Sequence, residues 1–212
     1  MKGRLITIEG IEGVGKSTQR DAIAAWLTGS GAEVVATREP GGTPLAEQVR
    51  RLVLEHGSEL VSGRSELLLM FAARSIHLDN CIRPALRRGA VVLCDRFTDA
   101  TYAYQGAGRG VPMDHIAALE RITQDDLRPD LTILFDCPVE VALRRMRDRG
   151  TGSDRFEAEQ AGFFERVRRE YLKRAATDPV RFRVIDAAPE AAIVQQSVVR
   201  VLQDAWAGWS DG

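Results

Sequence analysis

The stretch LITIEGIEGVGKST, residues 5–18, limits the possible folds of this chain more than any other segment does. Residues 10–17 match the phosphate-binding pattern G-x-x-x-x-G-K-[ST] at every position. An apolar, strand-like segment precedes the glycines and an amphipathic, helix-like segment follows them, which is the context that the motif requires. Glycines let backbone N–H groups surround an anion, and the following helix directs its positive end at the same point. The motif therefore predicts a loop that binds the phosphates of a nucleoside triphosphate.

Two side chains of this loop have predicted roles of their own. Lys16 is expected to reach the β- and γ-phosphates, and the Ser17 hydroxyl is expected to bind Mg²⁺. Lysine is rare in the chain, since only Lys2 and Lys173 occur besides Lys16. The residues predicted to bind ATP are Gly10, Ile11, Glu12, Gly13, Val14, Gly15, Lys16, Ser17 and Thr18.

Strand-like and helix-like segments alternate along the rest of the 212 residues. The predicted strands are short, continuous apolar runs, which is typical of buried parallel strands. Helical patterns fill the connections, and Pro84 is expected to bend or break the long helical stretch over residues 65–89. We therefore predict a single α/β domain over residues 1–212, with a three-layer, doubly wound parallel sheet of about five strands. The predicted strands are residues 4–9, 33–37, 90–95, 130–136 and 182–187.

Composition argues against several classes of protein. The 29 Lys and Arg residues balance 30 Asp and Glu residues, so no overall basic field would recruit nucleic acid. No run approaches the ~18 apolar residues that a membrane span needs, and no targeting segment is expected at the N-terminus. Cys81, Cys94 and Cys137 match neither a zinc spacing nor a disulfide framework. We expect a cytoplasmic protein with reduced thiols and without nucleic-acid or membrane partners.

Three broad classes of protein use such a phosphate-binding loop. A regulatory GTPase recognises guanine with an N-K-x-D motif, whereas the single asparagine here, Asn80, is followed by Cys81. A motor or helicase normally has a longer chain and a clearer nucleic-acid surface. A small-molecule phosphotransferase must hold a second substrate near the γ-phosphate and exclude water. The last class is favoured, and a P-loop ATPase switch or binding module is the alternative.

Charged residues follow the second and third predicted strands, where a phosphotransferase would bind its acceptor. Arg38 lies at the end of the second strand, and Asp95 and Arg96 lie at the end of the third. An acid there can organise Mg²⁺ directly or through water, and an adjacent arginine can clamp a phosphate. The polar, glycine-containing segment 149–157 lies between two predicted helices, so residues 145–158 are predicted to form a mobile lid.

Five segments of the chain form a set that is more specific than the phosphate-binding loop alone: GIEGVGKST (10–18), TREPGGTP (37–44), ELLLMFAAR (66–74), DRFTDATYAYQGAGRG (95–110) and SDRFE (153–157). Together they resemble bacterial thymidylate kinases, in the same order and over essentially the whole chain. The resemblance implies a nucleoside monophosphate kinase of the P-loop NTPase fold, usually a homodimer. It also implies transfer of the γ-phosphoryl group of ATP to dTMP, with Mg²⁺; a kinase for another pyrimidine monophosphate, such as dUMP or CMP, is the alternative.

The resemblance further implies which residues hold the phosphate and sugar of dTMP. Arg38 and Arg96 would hold the 5′-phosphate. Glu12 would approach the sugar 3′-hydroxyl and the magnesium region. Tyr104 would crowd the sugar 2′ position and favour deoxyribose, with Gln105 beside it.

For the base, the resemblance implies that Arg74 hydrogen-bonds a thymine carbonyl and that Thr101 contacts the pyrimidine edge. In many relatives an aromatic ring four residues before this arginine stacks on the base. That position is Met70 here, and the phenylalanine is Phe71. Positions three and four residues before Arg74 share one helix face, so either side chain could cover the base. We predict Phe71 because of its flat ring; in the alternative, Phe71 belongs to the core and Met70 covers the base.

The variable positions of the phosphate-binding loop, residues 11–14, contain no basic side chain. The charge of the transferred phosphoryl group must then be met by the lid, where similar chains place arginines at the positions of Arg149 and Arg155. A general base is unnecessary, because a phosphomonoester is already largely ionised, with a second pKa near ~6. Arg144, Arg145 and Arg147 are expected on a solvated helix face. The predicted catalytic residues are Lys16, Arg96, Asp95, Arg149, Arg155 and Glu12, and the predicted metal ligands are Ser17 and Asp95.

Overall fold

The structure is a computed structural model that describes residues 2–55, 61–150 and 157–210. Its centre is a five-stranded sheet in which all neighbouring strands are parallel. The strands are β1 (Arg4–Glu9), β2 (Val34–Arg38), β3 (Val91–Asp95), β4 (Leu131–Asp136) and β5 (Phe182–Asp186). Their order is β2-β3-β1-β4-β5, which confirms the predicted α/β fold.

The order in which the chain adds strands to the sheet reverses at β1. The chain first moves outward to β2, returns to β3 between them, and then crosses to β4 on the other side of β1. Asp95 at the end of β3 pairs in register with Ile8 of β1 and with Arg38 of β2. The carboxyl ends of these three strands are therefore level, and ligands of doubly wound sheets bind at such a switch point.

Helices connect the strands and cover both faces of the sheet. The long helical stretch predicted over residues 65–89 is interrupted by a π-helical segment, Leu78–Ile82, and Pro84 lies in the first turn of the helix that follows. A second π-helical segment, Tyr102–Gly108, follows a short helix after β3. The helices are α1 (Lys16–Gly29), α2 (Pro44–Leu54), α3 (Gly63–His77), α4 (Arg83–Arg87), α5 (Thr98–Thr101), α6 (Met113–Gln124), α7 (Val139–Asp148), α8 (Glu157–Thr177) and α9 (Ala191–Ser210).

Successive strand residues pack into different apolar clusters. Leu5 and Val92 belong to a cluster with the segment around α4, whereas Ile6 and Leu93 belong to a larger cluster with α1, α8 and α9. This alternation follows from the two-residue period of a strand. Within the residues that the structure describes, no helix combines the length and the apolar character needed to cross a membrane.

Candidate active site

Most of the predicted site residues meet in one cavity of about 510 Å³ at the carboxyl ends of β1, β2 and β3. Segments that are far apart in the sequence form its walls: the phosphate-binding loop, the turn after β2, α3, and the segment from α5 through the second π-helical stretch. The predicted residues that line it are Glu12, Gly13, Gly15, Lys16, Ser17, Thr18, Arg38, Arg74, Asp95, Arg96, Thr101, Tyr104, Gln105 and Arg149.

Two glycines of the phosphate-binding loop, Gly10 and Gly13, are required by both conformation and packing. Gly10 and Gly13 have φ angles of 135° and 83°, which disfavour side chains. A Cβ atom on Gly10 would lie 2.4 Å from the carbonyl oxygen of Phe135, and one on Gly13 would lie 2.3 Å from that of Ala142. The loop is thus closely packed on β4 and α7, and any other residue would displace it.

Lys16 lies within the loop that its helix follows. Its Nζ atom donates hydrogen bonds of 2.8 Å to the carbonyl oxygens of both Gly10 and Ile11. Burial, together with the positive charge of Arg96, lowers the pKa of Lys16 to about 8. The ammonium group is therefore held at the position where the motif would place the phosphates. The negative charge of a phosphate would offset the repulsion between Lys16 and Arg96 there.

Glu12, Arg96 and Tyr104 form a connected cluster beside the loop. Arg96 Nη2 donates to Glu12 Oε1 at 2.7 Å, and the Tyr104 hydroxyl donates to Glu12 Oε2 at 2.5 Å. The guanidinium of Arg96 also lies 4.4 Å from the centre of the Tyr104 ring. Burial opposes the charge of Glu12, but Arg96 and Lys16 outweigh it and lower the pKa of this carboxyl group. The cluster joins the predicted donor and acceptor sides of the cavity.

The backbone at Arg96 adopts an unusual conformation that Glu9 supports. Arg96 has a φ angle of 67°, in the left-handed region that side chains rarely occupy. Its N–H donates to the carbonyl of Ile8 at 3.0 Å, and the next N–H, of Phe97, donates to Glu9 Oε1 at 2.7 Å. Such a conformation persists only where its surroundings hold it, and it often marks a functional site.

Two guanidinium groups, those of Arg38 and Arg50, lie near the end of β2 and line the cavity. Arg38 pairs with both carboxylate oxygens of Glu47, at 3.1 and 3.0 Å. Arg50, which sequence reasoning missed, donates to the carbonyl of Pro40 at 2.8 Å and lines the same cavity. Burial and the positive charges of Arg38 and Arg96 lower the pKa of Arg50. Like charges crowd here, which favours binding of an anion. No local pattern singles out Arg50, because Arg51 also lies at a helical spacing from Glu47.

The predicted Mg²⁺ ligands, Ser17 and Asp95, both line the cavity. Asp95 Oδ1 is buried and has no hydrogen-bond partner in the part of the chain that the structure describes. Such an oxygen fits a cation or a cation-bound water, because Mg²⁺ prefers oxygen ligands. Among the described residues, no group of three or more His, Cys, Asp or Glu side chains could hold a metal by itself. A magnesium ion here would therefore need the phosphates of a nucleotide and water as further ligands.

Arg74 lies at the other end of the cavity and is almost completely buried. Its Nε atom donates to Glu39 Oε2 at 2.7 Å, and its Nη2 atom donates to Thr101 Oγ1 at 3.0 Å. Gln105 Nε2 donates to Glu66 Oε1 at 2.8 Å in the same part of the cavity. Arg74 and Thr101, the two residues predicted to contact the base, are thus brought into direct contact.

The structure does not place Phe71 in the cavity wall, although we predicted that its ring would cover the base. Phe71 is 2% exposed and packs in an apolar cluster with Leu67 and Ile116. The guanidinium of Arg74 lies 4.7 Å from the centre of its ring and covers that face. Met70, the alternative, lines the cavity. The difference arises because α3 turns its Phe71 face, rather than its Met70 face, toward the core.

A second cavity of about 350 Å³ shares Gly13, Gly15, Thr18 and Arg149 with the first. Its wall includes Arg145, which donates hydrogen bonds to the carbonyls of residues 187, 188 and 189 at 2.7, 2.9 and 3.2 Å. The expectation that Arg145 lies on a solvated helix face is therefore wrong, because this side chain binds the loop between β5 and α9.

The predicted lid is only partly described by the structure. Arg149 directly follows the last residue of α7, is exposed, and borders both cavities. Arg155 lies outside the described residues. The remaining predicted ATP ligands contribute in other ways: Gly10 and Ile11 bind Lys16, and Val14 lines the second cavity.

Comparison with known proteins agrees with this arrangement. A sequence model of the thymidylate kinase family matches residues 8–198. The thymidylate kinase of Pseudomonas syringae pv. tomato is 57% identical over 204 residues, which cover 96% of this chain and 97% of that protein. That of Pseudomonas syringae pv. syringae is 60% identical over 195 residues, 92% of each chain. The crystal structure of thymidylate kinase from Ehrlichia chaffeensis matches with a TM-score of 0.77 at 35% identity, covering 96% of this chain and 99% of that one. The chain therefore belongs to the thymidylate kinase family.

Proposed function

We propose that this protein transfers the γ-phosphoryl group of ATP to the 5′-phosphate of dTMP, giving dTDP and ADP. The observation that carries the proposal is the single cavity in which a phosphate-binding loop faces a group of arginines. A kinase for a phosphorylated acceptor needs both features within reach of each other, because two anionic substrates must meet end to end. The family to which the chain belongs supports dTMP as the acceptor.

On the donor side, residues 10–18 would hold the ATP phosphates. Backbone N–H groups of the loop would surround the phosphates, and Lys16 would leave its carbonyl partners to bind them. Ser17 and Asp95 would hold Mg²⁺, which when bound neutralises phosphate charge. The second cavity, beyond Thr18 and Arg145, has the size and position to take the base of the donor.

On the acceptor side, Arg38, Arg50 and Arg96 would hold the 5′-phosphate of dTMP. Tyr104, held by Glu12 beside the cavity, would crowd the sugar. Arg74 and Thr101 would face the edge of the base, with Gln105 nearby, and Met70 would cover its face. Unlike phenylalanine, a methionine can adapt its flexible thioether to the ring while still making a close apolar contact.

Catalysis in this site would depend on charge and position rather than on proton abstraction. The acceptor phosphate is already ionised near neutral pH, so the side chains need only hold it in line with the γ-phosphoryl group. Lys16 and Arg96 would stabilise the charge on the transferred group from opposite sides. Arg149, and Arg155 in the predicted lid, would add positive charge and exclude water on closure.

A coupled assay of ADP formation, with ATP, Mg²⁺ and a panel of monophosphates, tests this proposal. We expect the highest kcat/KM with dTMP, a lower value with dUMP and the lowest with CMP. A preference for CMP would instead support a kinase for another pyrimidine nucleotide. ATP hydrolysis that no monophosphate stimulates would support a P-loop ATPase switch, and Lys16→Ala provides the background rate.

We also infer that the protein forms a homodimer through α2, α3 and α6. These helices expose large apolar side chains, Leu45, Leu52, Leu68 and Ile122, with 53–75% of their surface accessible. Exposed apolar groups of this size are common at subunit interfaces. Light scattering after size-exclusion chromatography should give the mass of two chains, and Leu52→Asp with Leu68→Asp should reduce it to one. A monomeric wild-type protein would contradict the inference.

A further inference from the structure

A buried series of polar contacts runs from β2 to α5 along the acceptor side of the cavity, and three of its members, Glu39, Arg74 and Thr101, line the cavity wall. Thr37 Oγ1 lies 2.7 Å from His77 Nε2, and His77 Nδ1 donates to Glu39 Oε1 at 3.0 Å. Glu39 Oε2 accepts from Arg74 Nε at 2.7 Å, and Arg74 Nη2 donates to Thr101 Oγ1 at 3.0 Å. Glu39, Arg74 and His77 are 5%, 3% and 0% exposed. Three separate segments thus converge on one guanidinium group.

Arg74 has little freedom to change its orientation within this series. Glu39 engages Nε and Thr101 engages Nη2, while the rings of Phe71 and Phe97 lie 4.7 and 5.1 Å from the guanidinium carbon. Nη1 is the remaining nitrogen, and it is buried without a hydrogen-bond partner in the described part of the chain. An unpaired buried donor is costly, which favours a ligand atom that accepts from it.

Glu39 is itself fixed on every side. Its backbone N–H donates to the carbonyl of Asp95 at 2.9 Å, which anchors it to the end of β3. His77 occupies its second carboxylate oxygen. Gly42 lies close to His77 and its partner Thr37, because a Cβ atom at Gly42 would lie 2.4 Å from His77 Nε2 and 2.4 Å from Thr37 Oγ1. A carboxylate held in this way transmits a fixed direction to the guanidinium that it binds.

We propose that Glu39, oriented by His77, is a positioning residue that directs the free Nη1 group of Arg74 toward the acceptor base. The fixed donor makes the site select a base with a carbonyl group over a base with an amino group at that position. The inference rests on the proposed function, in which the acceptor base lies against Arg74. A guanidinium nitrogen can only donate, so it matches the carbonyl oxygen of thymine and leaves the amino group of cytosine without an acceptor. Selection of this kind requires a donor that cannot turn away from the mismatched base.

The variant Glu39→Gln tests the proposal with little change of shape. An amide offers only one acceptor oxygen, so either Arg74 or His77 would then face an NH₂ donor. We expect KM for dTMP to rise about 10- to 100-fold, the range for one hydrogen bond to a charged group, while kcat changes less than about threefold. The ratio of kcat/KM for dTMP to that for dCMP should fall about tenfold or more. His77→Gln should change both quantities in the same direction, but less.

Glu120→Gln is the matched control. Glu120 is also buried and accepts from Tyr102 at 2.6 Å and Arg128 at 2.9 Å, but it lines neither cavity. It should lower the melting temperature without changing the preference for dTMP over dCMP. In an Arg74→Ala background, Glu39→Gln should have no further effect on KM for dTMP, because the group that it positions is absent.

The outcomes separate this inference from the proposed function. If the wild-type protein does not phosphorylate dTMP, the proposed function fails. If it does, and Glu39→Gln and His77→Gln retain the wild-type preference for dTMP over dCMP, the positioning role is refuted. An equal rise of KM with and without Arg74 would also refute it. If Glu39→Gln does not fold, His77→Gln and its combination with Arg74→Ala decide between the same outcomes.

Discussion

We expect the free energy of unfolding of the wild-type protein to fall as pH rises from acid to mildly alkaline values, because Glu9 loses a proton on unfolding. Replacing Glu9 by glutamine should remove this fall. Glu9 is fully buried at the end of β1. Its Oε1 accepts from the N–H of Phe97 and its Oε2 from the hydroxyl of Tyr171, both at 2.7 Å. Burial, with the negative charge of Asp99, raises the pKa of Glu9 from 4.5 to about 8.

The expected magnitude follows from this shift. Between pH 4.5 and about 8 the folded protein keeps a proton that the unfolded chain has released, so the free energy of unfolding falls as pH rises. Each pKa unit corresponds to about 1.4 kcal/mol, so the whole window is worth on the order of 5 kcal/mol. The amide introduced by Glu9→Gln would resemble the protonated carboxyl group, because its oxygen accepts from Phe97 and its NH₂ donates to the Tyr171 oxygen. The variant should therefore match the wild type below about pH 4.5, exceed it increasingly as pH rises, and keep the full difference above about pH 8.

Urea unfolding across this pH range measures the effect. With a typical slope of roughly 2 kcal/mol per molar urea, the difference between the midpoints of the two proteins should grow by roughly 2.5 M from acid to alkaline pH. Burial opposes the charge of His77, but its hydrogen bonds to Cys81 and Glu39 raise its pKa to about 9, and this contribution is common to both proteins. Glu55→Gln, at an exposed carboxyl group, is the control and should leave the pH dependence unchanged. Parallel curves for wild type and Glu9→Gln would refute the reasoning.

Three further predictions concern other parts of the molecule. ATP should bind more weakly as pH rises above about 8, because the pKa of Lys16 is lowered to about 8 and only its charged form attracts phosphate. Calorimetric titration at several pH values measures this, and an affinity for ATP that does not change with pH would contradict it. Met70→Ala should raise KM for dTMP with little change in melting temperature, whereas Phe71→Ala should destabilise the fold by about 3–5 kcal/mol. The opposite pattern would indicate that Phe71, and not Met70, covers the base. Asp99→Asn should lower stability by about 3–5 kcal/mol in thermal melting, because Asp99 is buried between two arginines at 2.6 Å; an unchanged melting temperature would contradict this.

Much of the fold could be predicted because its signals are local. The apolar runs that became β1, β3 and β4 are buried strands, and the break near Pro84 lies where the ring prevents a regular helix. The loop before Lys16 follows from backbone freedom at its glycines. Strand alternation with helices also implies parallel pairing, so the ends of β2 and β3 were expected on one edge of the sheet.

Other features could not be predicted from local patterns. Arg145 was expected in solvent, yet it binds three carbonyls about 40 residues away in sequence, a spacing that no periodicity encodes. Glu39 and His77 were not singled out as parts of the site. Glu39 lies in the segment TREPGGTP, but no role was inferred for it there, and His77 matches no motif that carries chemistry. Their relation to Arg74 exists only once α3 packs beside the end of β2.

Local sequence patterns were therefore sufficient to predict that this chain folds as a parallel α/β sheet and presents a phosphate-binding loop beside arginines. Those properties depend on backbone geometry and on short-range spacing. The folded molecule was needed to show that Met70 rather than Phe71 lines the cavity. It was also needed to show that Glu9 binds the backbone N–H that follows Arg96 and that Glu39 binds the guanidinium of Arg74. These choices depend on the rotation of α3 about its axis and on contacts between distant segments, which side-chain packing sets across the whole molecule.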